Sequence, residues 1–203
     1  MELLRFTVGP WPMNSYVLRC PTTQQSVLID PGAEPDTLLA ALADSTPVAI
    51  LLTHTHPDHV GALEEMRLRL GVPVMAHSGP HVQGMELQKE RTLHHGEAVR
   101  VGQHLLRVHH TPGHTADMLC FALENDHRCI VGDTLFDGGP GKTWSSADFQ
   151  TTLQTLEMLL LTWPDEMTCY PGHGPAFRLG DLRAAIQQFL AREHGNFFGD
   201  ATW

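Results

Sequence analysis

Apolar and polar positions alternate first with the short period of extended chain. Leu3–Val8, Ser15–Arg19 and Ser26–Ile29 read as three short strands, the last closed by Asp30-Pro31-Gly32, and their length and spacing predict antiparallel pairing. The pattern then lengthens. Asp36–Ala43 reads as a helix, Val48–Leu52 as a buried strand, Val60–Leu70 as a helix stopped by Gly71, and Val74–Ala76 as a further strand, an alternating α and β segment.

Ser78–Gly96 is polar, contains Gly79, Pro80 and Gly84, and has only weak helical character around Val82–Lys89, which predicts a mobile loop or a short helix. A second strand-rich block follows: Ala98–Val101, Leu105–His109, Met118–Leu123 and Cys129–Val131, with Asn125 and Asp126 as turn residues between the last two. Then come a glycine-rich loop, Asp137–Gly141, a helix over Ala147–Leu161, a strand at Thr168–Tyr170 and a final helix over Leu179–Arg192. Nothing between the two strand-rich halves looks like a linker. The expectation is a single α+β domain over residues 1–203, two packed sheets with helices on the outer faces.

Composition narrows the function classes. A chain of 203 residues that is 42% hydrophobic can bury one sizeable core. A formal charge of −10, with Lys89 and Lys142 the only lysines, argues against nucleic acid and anionic membranes as partners, since both select a dense cationic face. No apolar run reaches the roughly 18 to 20 residues that span a bilayer, and Met1–Pro10 has no basic lead into an apolar stretch. A cytoplasmic protein without a signal peptide, acting on small molecules, is expected. Cys20, Cys120, Cys129 and Cys169 form no C-x-x-C pair and read as buried reduced thiols. Oligomeric state is not legible.

The 14 histidines outnumber Lys and Arg together, which total 13, and they direct attention to one segment. In Thr53-His54-Thr55-His56-Pro57-Asp58-His59, four metal-capable side chains follow the end of the strand Val48–Leu52. On extended chain His54 and His56 point to the same side, while Asp58 and His59, on the following turn, face a neighbouring point. Three further candidates lie at predicted strand ends beside glycine: His114 after Gly113, Asp133 after Gly132, and His173 after Gly172. His94-His95 and His109-His110 read as surface or supporting residues, because strand neighbours face opposite ways. His110 and Asp30 are candidates to orient a ligand.

The order H-x-H-x-D-H, Gly-His, Gly-Asp, Gly-His resembles the metallo-β-lactamase superfamily over nearly the whole chain. The resemblance implies a four-layer αββα sandwich with two divalent metal ions at one edge. Carried over by motif, His54, His56 and His114 would bind one ion, Asp58, His59 and His173 the other, and Asp133 would bridge them. Zinc heads the expected metals, with iron or manganese suited to the same donors. Asp58 and Asp133 would be the catalytic carboxylates, Asp58 orienting a metal-activated water or moving its proton.

Within the superfamily, His56 stands where flavodiiron proteins carry glutamate, and a bridging Asp133 is unlike the antibiotic-hydrolysing β-lactamases. Gly132-Asp133-Thr134-Leu135-Phe136, Gly141-Lys142-Thr143-Trp144 and Pro171-Gly172-His173-Gly174 are similar to glyoxalase II, a hydrolase of S-2-hydroxyacyl glutathione thioesters. That similarity implies substrate contacts at Lys142 and Trp144, the latter standing where tyrosine is usual. Only about 30 residues follow His173, too few for the C-terminal helical domain of glyoxalase II, so the chain resembles its short single-domain relatives. The expected function is a dinuclear metallo-hydrolase, a thioesterase or an ester or lactone hydrolase. The alternatives are a persulfide dioxygenase with one iron on His54, His114 and Asp133, and a metal-binding protein without turnover.

Overall fold

A computed structural model describes all 203 residues. Twelve strands form two six-stranded sheets. The first holds β1 (Glu2–Val8), β2 (Met13–Arg19), β3 (Gln25–Ile29), β4 (Thr46–Leu51), β5 (Val74–Ala76) and β6 (Arg91–Thr92) in that spatial order. β1 to β3 pair antiparallel, as their spacing predicts, and β3 to β6 pair parallel. The second sheet holds β7 (Ala98–Val101), β8 (His104–His110), β9 (Leu119–Leu123), β10 (Arg128–Gly132), β11 (Thr168–Pro171) and β12 (Phe177–Arg178). Only the β10–β11 pair is parallel in this sheet.

Strict alternation along the strands divides the apolar residues among three cores. Leu18, Val27, Ile29 and Leu51 of the first sheet meet Val108, Leu119, Phe121 and Ile130 of the second between the sheets. Their neighbours Val17, Leu28 and Ile50 turn outward onto α1 (Pro35–Leu42) and α3 (Leu63–Leu70), against Leu38 and Met66. Cys120, Cys129 and Val131 turn the other way onto α4 (Ser146–Thr162) and α5 (Leu179–Leu190), against Phe149, Leu156 and Ile186. A strand buried on both faces reads as a continuous apolar run. The result is the expected four-layer αββα sandwich, and all four cysteines are buried and free.

Three details differ from the sequence expectation. The helix expected over Val60–Leu70 is divided into α2 (Pro57–Val60) and α3: Ala62 leaves helical geometry and its N–H donates to the Pro31 carbonyl at 2.9 Å instead of within the helix, beside Gly61, where a Cβ would collide with the Gly32 carbonyl. β6 and β12 were not expected, since two-residue strands are too short to show a period. The Ser78–Gly96 stretch contains a single tight turn at Val82–Gly84 and closes the first sheet with β6. No helix is long and apolar enough to cross a membrane.

Candidate metal centre

β3, β4, β8, β10 and β11 all deliver their C-terminal ends to one edge of the sandwich, and the seven candidate ligands lie in the loops that follow and in α2. Proline shapes the first loop. Pro57 is the first residue of α2 and holds His56 extended at φ −63°, ψ 144°, as a residue before proline requires. His54 and His56 therefore stay on extended chain, and Asp58 and His59 turn away on the helix.

The seven side chains converge as two sets of donors. His54 Nε2 and His114 Nε2 each lie 2.9 Å from His56 Nδ1, and Asp133 Oδ2 stands 3.5 Å from His114 Nε2. In the second set His173 Nε2 is 3.1 Å from Asp58 Oδ2, with His59 buried beside it. Asp133 stands between the sets: Oδ1 is 3.4 Å from His59 Nε2, and Oδ2 is 3.7 Å from His173 Nε2. Donors bound about 2.1 Å from a common ion stand roughly 3 to 3.5 Å apart, so the spacing suits one ion per set.

Partners outside the two sets turn the imidazole lone pairs toward these points. Asp30 is buried and accepts from Thr53 N at 2.7 Å, Thr53 Oγ1 at 2.5 Å and His59 Nδ1 at 2.9 Å. Thr53 has spent its one hydroxyl proton on Asp30, so it accepts from His54 Nδ1 at 3.0 Å. His114 Nδ1 donates to the Lys142 carbonyl at 2.7 Å, and His173 Nδ1 to the Pro12 carbonyl at 2.9 Å. Four imidazoles thus direct their Nδ1 proton to an outer acceptor and turn Nε2 toward the two points. His59 Nε2 and Asp133 Oδ1 are buried without a hydrogen-bond partner, a costly arrangement for a protein without an ion. Gly172 leaves this space open, since a Cβ there would strike Asp133 Oδ1 and the His59 ring. The donor set and its orphaned atoms fit two divalent cations.

Charge follows the same division. Burial and the neighbouring imidazoles push His54 well below its usual pKa, and burial with His114 pushes His56 to about 4. Burial also lowers His59, but Asp133 and Asp30 outweigh it and hold this ring at about 10. Burial raises Asp133, yet His59, His114 and His173 pull it to about 2. Asp58 is lowered despite its burial, by the His173 hydrogen bond and His59.

Trp144 stands beside the centre, its ring 6.3 Å from that of His56. Lys142 contributes its carbonyl to His114, while its ammonium pairs with Asp200 at 3.1 Å and lies 5.2 Å from the Trp144 ring. His110 Nε2 donates to the Ala116 carbonyl at 2.8 Å and its ring stacks on His77, outside the centre, whereas Asp30 does support a ligand. Sequence reasoning missed Thr53, whose place directly before His54 was the available signal. It also missed the Pro12 and Lys142 carbonyls, for which none exists.

The sequence model of the metallo-beta-lactamase superfamily matches residues 8–173. The chain belongs to that superfamily. It is 32% identical to a protein described as "Probable metallo-hydrolase YqgX" from Bacillus subtilis (strain 168), over 86% of this chain and 91% of that protein. It is 35% identical to a hydroxyacylglutathione hydrolase of Rhodopseudomonas palustris (strain BisA53), over 78% of this chain. There the match spans only 61% of the relative's length. Among solved structures, TTHA1623 in a di-iron-bound form superposes with a TM-score of 0.75 at 32% identity, over 89% of this chain and 96% of that one. The relatives it matches thus include proteins described as hydrolases, and its own His and Asp clusters are spaced to hold metal.

Proposed function

We propose that the protein hydrolyses a thioester, or an ester or lactone, at a dinuclear metal centre, with small hydroxyacyl thioesters as the type substrate. The observation that carries this reading is the pair of donor sets sharing Asp133, with four imidazole tautomers fixed by outer partners. His54, His56 and His114 would hold one ion, Asp58, His59 and His173 the other, and Asp133 both. Two divalent cations supply an acidified water and polarise a carbonyl oxygen. Zinc suits these donors, and the di-iron form of TTHA1623 supports iron as a second choice.

Asp58 is ionised and half-buried, so its carboxylate can orient the attacking water and take its proton. Trp144 offers an exposed apolar face beside His56 for the acyl or leaving arm. A departing thiolate carries its own charge, so no protein acid is needed at that step. The net charge of −10 favours small-molecule substrates over nucleic acid or membrane, and the cytoplasm is the proposed compartment.

The test is metal analysis of protein purified without added metal, joined to assays on the same sample. Two ions per chain and hydrolysis of S-lactoylglutathione, simple thioesters, lactones or aryl esters are expected. Metal-loaded protein inert toward all four classes would sink the hydrolase reading. One iron per chain with oxygen uptake on glutathione persulfide would replace it with the dioxygenase, and tight metal without either activity with a binding protein.

A further inference from the structure

We propose that Asp117 positions one wall of the substrate cleft, and that the cleft so shaped accepts a substrate whose distal arm carries no carboxylate. This rests on the hydrolase reading above. Beside His56 and His114 opens a cleft of about 380 Å³, with Trp144 on one side and residues 80–83 on the other. That second wall belongs to the polar stretch with the weakest structural pattern in the sequence, yet it is tied firmly to the ligand-bearing loop.

The ties are directional. Val82 N donates to Thr55 Oγ1 at 2.9 Å, and Thr55 Oγ1 donates to Asp117 Oδ2 at 2.7 Å. His81 Nδ1 donates to the same carboxylate oxygen at 3.0 Å. Lys89 Nζ, which can only donate, reaches His81 Nε2 at 3.2 Å. Thr55 stands between His54 and His56, so the cleft wall and the metal ligands share one support. Asp117 is only 2% exposed. Both bonds fall on Oδ2, while Oδ1 is buried without a partner, so the two donors from Thr55 and His81 are what offset the burial of this carboxylate, and they hold the wall.

The lining explains the choice of substrate. It contains no lysine or arginine, and Asp148 is its one acidic residue. Both lysines of the chain are engaged, Lys142 with Asp200 and Lys89 with His81. Among the lining side chains a carboxylate-bearing arm therefore meets Asp148 and no lysine or arginine, the two ammonium groups beyond the walls being turned to Asp200 and His81. A neutral arm packs against Trp144 and Val82.

The experiment uses full-length metal-loaded protein and matched acetyl thioesters of N-acetylcysteamine, which is neutral, and 3-mercaptopropionate, which is anionic. The S-ethyl thioethers of the two thiols, which cannot be hydrolysed, serve as calorimetric binding probes. The neutral thioester is expected to show kcat/KM about tenfold higher, and the neutral thioether a similarly tighter Kd. Asp117→Ala should raise KM for the neutral substrate about tenfold, with kcat within about threefold and metal content unchanged. Asp117→Asn keeps an acceptor for Thr55 and His81 and should largely restore KM. Preference for the anionic partner overturns the proposal, as does an Asp117→Ala variant with unchanged KM and thioether affinity, or an Asn variant as impaired as Ala. Should Asp117→Ala fail to fold, His81→Ala removes the wall's side of the same bond and must raise KM likewise. If wild type hydrolyses neither thioester, the hydrolase reading fails there, while the thioether affinities still decide the selectivity of the cleft.

Discussion

In one half of the metal centre His54, His56 and His114 crowd together, and burial with mutual repulsion leaves them short of protons at neutral pH, His56 at about 4. In the other half the carboxylates dominate. The Asp58 hydrogen bond raises His173, and Asp133 with Asp30 overcomes burial to hold His59 at about 10. The same residue type is thus prepared in two ways, and the placement of carboxylates decides which. An incoming cation finds bare lone pairs in the first half and must expel protons from the second.

Removing the group common to both halves should have the largest effect. Asp133→Ala is expected to reduce metal content from two ions to about one, and to lower turnover about a thousandfold; two ions retained, measured by elemental analysis, would refute the bridging role. Asp30→Ala tests how far the halves are supported separately. Because Asp30 bonds His59 directly and His54 only through Thr53, affinity for the second ion should fall about 10- to 100-fold and for the first by less. Chelator competition measures both.

The proton difference predicts a pH contrast of smaller size. His59 is protonated in the metal-free protein below about pH 10, so second-ion affinity should rise roughly tenfold per pH unit for each proton expelled, from neutrality toward pH 10. First-ion affinity should be nearly flat over that range, since His54 and His56 are already neutral. In the metal-free protein the raised His59 favours folding below its unfolded pKa of about 6.5, and this contribution is lost as pH rises through about 10. The depressed Asp133 contributes above about pH 4 and is lost as pH falls toward about 2. Melting temperature against pH, with chelator present, should decline in both windows. Lys142→Ala should do least, changing KM by under about twofold, because an exposed ion pair contributes little and the ammonium is turned to Asp200. A tenfold rise in KM would make Lys142 a substrate anchor after all.

How much of this was legible depends on the range of the interaction. The ligand string was readable because a period-two strand, a proline and a helix start follow one another within seven residues, and local rules set their directions. The sandwich was readable because alternation in Val17–Leu18, Val27–Ile29 and Cys129–Val131 serves two cores at once. The break between α2 and α3 was hidden, because it depends on the Ala62 N–H reaching the Pro31 carbonyl, about thirty residues earlier in the chain. The wall at residues 80–83 looked mobile, since its anchor is Asp117, far along the chain. Backbone acceptors such as Pro12 and Lys142 carry no side-chain signature at all.

Where the two sheets meet at this edge, Asn14 N bonds Gly172 O at 2.7 Å and Tyr16 Oη bonds Pro171 O at 2.6 Å. His54, His56, Asp58 and His59 come from the first sheet's loops, and His114, Asp133 and His173 from the second's. A cation seated among them is therefore a clasp between the two halves of the polypeptide, closing a loop that runs from His54 to His173. Such a clasp gains affinity only after the halves have docked. Pulling the sheets apart by force should accordingly need a sharply higher load with the ions bound, and the ions should leave as the first event of opening.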